Sequence, residues 1–206
     1  MVVRAKICGT TSLEDALLCV DAGADALGFV FYPRSPRYVT PETVRTIVRQ
    51  LPPFVVTVGV FVDEPSECVN AVAAFCNLDR VQLHGNETPQ DCERIERAVV
   101  KAFRVRPDAT LSFADYRVHA FLLDAYVANS PGGTGHRFDW ARAIEAKRHG
   151  RVILAGGLTP DNVGEAIRTV EPYAVDVVTG VEASPGRKDA EKVRSFLRNV
   201  RSFDSV

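Results

Sequence analysis

The chain alternates. Short runs rich in valine, isoleucine, leucine and phenylalanine lie at residues 3–8, 26–31, 54–61, 79–83, 99–105, 120–124, 152–155 and 175–178. Between them run longer stretches whose apolar residues return at helical spacing. Eight strands separated by helices must pair in parallel, because each helix is the crossover that a parallel neighbour requires. A doubly wound open sheet uses the same alternation, but it concentrates polar chemistry at one switch point. Here nearly every run ends in glycines, cations, acids or a thiol, as when eight carboxyl ends ring one mouth. The expected fold is α/β, a single-domain (β/α)8 TIM barrel over residues 1–206, near the lower end of the ~200–250 residues such a barrel takes.

Helix starts are marked. Ser12 precedes LEDALLCVDAG with Asp15 at capping-box distance and Gly23 closing the far end. Thr40-Pro41, Ser66, Thr88-Pro89, Thr159-Pro160 and Asp189 each open a further segment, and another starts near Phe138-Asp139-Trp140. Only the stretch from Pro107 to Tyr116 lacks a clear helical pattern.

Charge and cysteine usage exclude several classes. A net charge of −1 supplies no basic field for nucleic acid. No apolar run approaches the ~20 residues of a membrane span, and MVVRAKICGT is not a secretory signal. The five cysteines are odd in number and scattered without CxxC spacing, which argues against a disulfide framework or zinc site and for a reducing cytosol. No metal-ligand constellation is visible, and no cofactor is implied.

The strand ends carry the candidate chemistry. Strand one ends in Lys6-Ile7-Cys8-Gly9, and a thiol at the mouth serves as base or nucleophile if its pKa falls below ~8.5; a buried, inert cysteine is the other reading. Arg37, in a proline-rich loop after strand two, is either a clamp for a carboxylate or a solvated arginine. Alternation puts Gln82 and His84 on one face of strand four, lining a ligand site or forming a hydrogen-bonded structural pair. Asp124 ends strand six, three places from strand one round an eightfold ring; it either faces Cys8 nearly across the opening or caps a helix. Gly156 and Gly157 after strand seven, with Thr179 and Gly180 after strand eight, let backbone amides close on a phosphate, although turns need glycine anyway.

Together, KICGTTSLEDA, GFVFYPRSPRYV, VGVFV, VQLHG, LLDA with GGTGHRFDW, LAGGLTPDNV and TGVEASPGRKD closely resemble the phosphoribosylanthranilate isomerase family, in order over residues 6 to 189. The resemblance implies an Amadori rearrangement in tryptophan biosynthesis, with Cys8 as general base and Asp124 as general acid. It further implies Arg37 on the anthranilate carboxylate, phosphate held by Gly156, Gly157, Thr179 and Gly180, and Gln82 and His84 lining the site. The expected partner is a small phosphosugar, with no nucleic acid and no membrane. DVVTGVE replaces the family's more usual DVSSGVE, removing one hydroxyl at Val178 and keeping one at Thr179. Phosphosugar epimerases and histidine-pathway isomerases of the same fold rely on metal ligands or paired aspartates; Cys8 and Arg37 favour the first family. A phosphosugar-binding module would need only the phosphate loops and leaves Cys8 and Asp124 without a use.

Overall fold

The computed structural model describes residues 2–105, 112–125 and 140–203. Eight strands close into one parallel barrel in chain order: β1 (Arg4–Ile7), β2 (Ala26–Val30), β3 (Val56–Phe61), β4 (Arg80–Leu83), β5 (Ala98–Val105), β6 (Ala120–Ala125), β7 (Val152–Ala155) and β8 (Ala174–Val177). β8 returns to β1 with Arg4, Ala5, Lys6 and Ile7 opposite Ala174, Val175, Asp176 and Val177. That closure removes both sheet edges.

Around the barrel lie α1 (Leu13–Asp21), α2 (Pro41–Val48), α3 (Ser66–Cys76), α4 (Pro89–Glu93), α5 (Trp140–Ala146), α6 (Val163–Val170) and α7 (Ala190–Arg201). Side chains alternate along each strand. On β1, Ala5 and Ile7 join the large apolar layer under the helices, which leaves Arg4, Lys6 and Cys8 pointing inward. A smaller apolar cluster of Val100, Ala102, Ala120, Leu122, Ile153, Ala155 and Ala174 fills the interior on the β5–β8 side.

Caps decide how well the helix starts are anticipated. Ser12, Thr40, Thr88 and Asp189 each accept a backbone N–H of the first turn, and Thr88 forms a complete capping box with Asp91. Asp15 does not complete a box with Ser12; its buried carboxylate accepts instead from the Lys188 amide at 3.0 Å. α3 is capped by Pro65 rather than Ser66, which is already helical. α6 begins at Val163, because Asn162 Oδ1 takes the Thr159 amide at 2.8 Å and holds residues 159–162 in a turn. Phe54 was expected in strand three, yet it lies before β3 and is 96% exposed.

One of two further features has no counterpart in the sequence reading, and the other falls in the stretch that lacked a clear helical pattern. After β8 the chain makes a 3₁₀ turn at Thr179–Val181 and an antiparallel hairpin of β9 (Glu182–Ser184) and β10 (Arg187–Lys188). Beyond β5, residues 112–119 form no helix; Phe113 and Tyr116 pack edge-on against Phe103, and Phe113 also meets Phe121. The glycine-rich residues 130–135, and Phe138 and Asp139, lie outside the described residues.

Candidate active site

Every strand of a parallel barrel delivers its last side chains to the same rim, so the carboxyl ends of β1, β4, β6, β7 and β8 converge. Cys8 follows β1, its side chain in the interior and only 4% exposed. Asp124, on β6, has a side chain 33% exposed. Between their sides of the ring stands His84, whose Nε2 lies 3.3 Å from Asp124 Oδ2 and whose Nδ1 meets Gln82 Nε2 at 2.9 Å. The hydrogen-bonded pair expected of Gln82 and His84 is therefore present, and it extends to the acid. Were the Gln82 amide nitrogen to donate to Nδ1, a ring proton on Nε2 would be aimed at Asp124. Gln82 Oε1 is buried without a partner among the described residues.

Beneath this rim lies a charged layer. Lys6, on the same face of β1 as Cys8, meets Asp176 of β8 at 2.9 Å, both side chains about 5% exposed. Burial works against the Lys6 ammonium, but Asp176 and Cys8 outweigh it and push its pKa up to about 12. For the thiol, burial prevails and pushes Cys8 above its ordinary value, with Lys6 opposing. On β2, Gly28 leaves the space free: a Cβ there would lie 2.5 Å from Cys8 Sγ and 3.0 Å from Lys6 Nζ.

Arg37 lies beside the thiol. Its stem runs over Gly9, at φ +73°, where a Cβ would lie 2.7 Å from Arg37 Cδ. The bidentate pair anticipated for Arg37 is made within the chain: Nε and Nη2 donate to Glu182 Oε1 and Oε2 at 2.8 and 2.6 Å. Glu182 also meets Lys188 Nζ at 3.2 Å, and the same ammonium donates to the Cys8 carbonyl at 2.6 Å. The guanidinium retains further N–H groups for a second acceptor.

Burial would raise the Glu182 carboxyl, but Arg37 and Lys188 hold it below its ordinary 4.5. A carboxyl with a depressed folded pKa contributes stability above its unfolded value, and that contribution is lost as pH falls through the lower folded value. The clamp should thus survive acidification past pH 4.5 and fail only below it. Glu182→Ala strands the wholly buried Lys188 ammonium and should cost about 3–5 kcal/mol, read from urea unfolding; an unchanged midpoint would refute the clamp.

Two loops lie side by side opposite β4. Gly156 and Gly157 follow β7 at φ of +85° and +63°, conformations that L side chains rarely adopt. Asn162 Nδ2 ties the Gly157 carbonyl at 2.9 Å. Thr179 and Gly180 form the turn after β8, and any Cβ on Gly180 would run into the Leu158 carbonyl. Val178, standing where a hydroxyl was anticipated, starts this turn and contributes none.

A cavity of about 610 Å³ opens beside His84, lined also by Tyr32, Asp63, Lys101, Arg104 and Tyr116. That is within the range of small-molecule sites. The buried Lys101 pins the loop after β4, donating to Gly85 O at 2.9 Å and Glu87 at 2.8 Å. Among the described residues no group of three or more His, Cys, Asp or Glu is placed to hold a metal, and no helix is long and apolar enough to cross a membrane.

Sequence reasoning passed over Lys6, Asp176, Glu182 and Lys188. For the first two the signal was present: the alternation that paired Gln82 with His84 also pairs Lys6 with Cys8, and Asp176 is an acid inside an apolar run.

A closed eight-stranded parallel barrel with ionisable side chains gathered at its carboxyl-terminal mouth defines the class, a (β/α)8 barrel of the kind that carries enzyme active sites there. Comparison with known proteins narrows it. The family model for N-(5'phosphoribosyl)anthranilate (PRA) isomerase matches residues 5–199. An N-(5'-phosphoribosyl)anthranilate isomerase of Geobacter sp. (strain M21) is 58% identical over 97% of this chain and 98% of the relative. The crystal structure of phosphoribosyl anthranilate isomerase from Thermotoga maritima superposes with a TM-score of 0.88 at 45% identity, covering 98% of this chain and all of that one. A phosphoribosyl anthranilate isomerase in complex with reduced 1-(o-carboxyphenylamino)-1-deoxyribulose 5-phosphate gives 0.86 at 42% identity, with the same coverage. The chain belongs to the N-(5'-phosphoribosyl)anthranilate isomerase family.

Proposed function

We propose that the protein converts N-(5'-phosphoribosyl)anthranilate to 1-(2-carboxyphenylamino)-1-deoxyribulose 5-phosphate, the Amadori rearrangement of tryptophan biosynthesis, with Cys8 as base and Asp124 as acid. The observation that carries this reading is the placement of both groups on the inner face of one rim, three strands apart round a closed ring. Asp124 protonates the ribose ring oxygen and the furanose opens to a protonated imine. Cys8, as thiolate, removes the proton from C2′; the electron pair forms the C1′–C2′ double bond and the imine electrons pass to nitrogen. The enolamine then tautomerises to the ketose.

The surroundings suit these roles. Once Asp124 has given up its proton, the Nε2–H of His84 is in place to donate to the carboxylate left behind. Arg37, oriented by Glu182, offers its remaining N–H groups to the anthranilate carboxylate. The backbone around Gly156, Gly157, Thr179 and Gly180 holds the phosphate, whose binding energy positions the sugar between base and acid. The reaction as written needs neither redox change nor metal. All five cysteines are free, as suits a protein working in the cytoplasm.

The test is direct. Purified protein mixed with N-(5'-phosphoribosyl)anthranilate should accelerate the loss of anthranilate-type fluorescence, and the acceleration should persist in the presence of chelator. No acceleration over buffer would dismiss the activity, and loss of activity on chelation would point to a metal-dependent relative of the same fold.

A further inference from the structure

A thiol that acts as base must ionise, and this one sits where burial resists ionisation. The groups facing it come from several elements. β1 supplies Lys6 and β8 supplies Asp176, while β2 supplies only the bare Gly28. The loop after β2 supplies Arg37, and β10 supplies Lys188; both cations are engaged by Glu182, and Lys188 is bound to the carbonyl of Cys8 rather than directed to its sulfur. Across the mouth stand neutral Gln82, His84 and the acid Asp124. Lys6 is the cation whose stem rises from the same inner face as the thiol, two residues away, into the space that Gly28 leaves open.

We propose that Lys6 is the counter-ion of the Cys8 thiolate and that Asp176 is the strut that keeps its ammonium charged and aimed. Both are positioning residues, acting through Cys8, and the proposal rests on the reading of Cys8 as base. The arrangement explains why a buried lysine and aspartate sit in the barrel interior directly below the thiol. A lone buried ammonium would shed its proton. Opposite Asp176 it stays charged, with a pKa of about 12. When the thiol releases its proton to solvent, Lys6 lies between two anions, Asp176 and the thiolate. It remains protonated throughout, and the proton taken from C2′ goes to sulfur alone. Gly28 belongs to the same device, because any side chain there would occupy the shared space.

The test reads the thiol without substrate. Ultraviolet thiolate absorbance of the full-length protein is titrated against pH, and a matched Cys8→Ser protein is subtracted to isolate residue 8. In Lys6→Met the Cys8 midpoint should rise by at least about one pH unit, a tenfold smaller thiolate fraction below the midpoint. The acid limb of kcat should move up with it, KM staying near the wild-type value, and Lys6→Arg should restore most of the loss. Should Lys6→Met fold poorly with Asp176 left unpaired, the double variant Lys6→Met/Asp176→Leu removes both charges together and should still show a rise, smaller because the Asp176 carboxylate itself pushes the thiol up. An unmoved midpoint in either folded variant would overturn the proposal, even if kcat fell. Failure of the wild-type protein to isomerise the substrate would count against the base role itself, a separate result from the titration.

Discussion

Cys8→Ala should lower kcat about 10²–10⁴-fold, the usual contribution of one acid–base partner. Only a sulfur is lost, next to a glycine that already leaves room, so the fold and the loops after β7 and β8 should persist. Affinity for the reduced product analogue named in the related complex should therefore change little while turnover collapses. That split marks a group working on the reacting atoms rather than on binding. Cys8→Ser is expected to be nearly as poor, because a hydroxyl in the same burial is harder to ionise than a thiol. The loss of anthranilate-type fluorescence under saturating substrate measures both variants. Turnover by Cys8→Ala at the wild-type rate would remove residue 8 from the base role.

Asp124→Asn should cost a comparable 10²–10⁴-fold in kcat. The amide keeps the shape of the carboxyl and can still accept from His84 Nε2, which lies 3.3 Å from the native oxygen, but it has no proton to give the ring oxygen. The defect should therefore appear at ring opening. An acyclic product analogue, needing no such proton, should still bind. A variant that retained full kcat would show that water or His84 protonates the sugar. Equal losses of product-analogue affinity and kcat would assign Asp124 to binding.

Much of this molecule was readable from the chain because strands and caps are local. Apolar runs set out the eight strands and put Cys8 and Asp124 at strand ends over the mouth, and period-two alternation put Gln82 and His84 on one face. Helix starts were legible where a Ser, Thr or Asp side chain makes the cap, and were misplaced at Pro65 and Asn162, where no side-chain cap bond exists. The charged framework of the site was not legible for a different reason. Lys6 meets Asp176 across 170 residues and Arg37 meets Glu182 across 145. Such partners are neighbours only after the ring closes and the hairpin folds. Their effect on the thiol, burial against a nearby cation, depends on packing that spacing along the chain does not encode. Position on the rim alone therefore left both readings of Cys8 open, an ionisable thiol or a buried one.

The ring closes between its first strand and its last, and this sets a timetable for the nascent chain. The ribosome delivers Lys6 170 residues ahead of Asp176, which fastens it, and Cys8 180 residues ahead of Lys188, which holds its carbonyl. Contacts spanning so much of the polymer form slowly, after their long loop-closure entropy has been met. Until then the reactive sulfur rides on an unpaired strand edge. A molecule interrupted before its eighth strand would carry the base, paired to β2 alone, and lack the carboxylate that holds Lys6 beneath it.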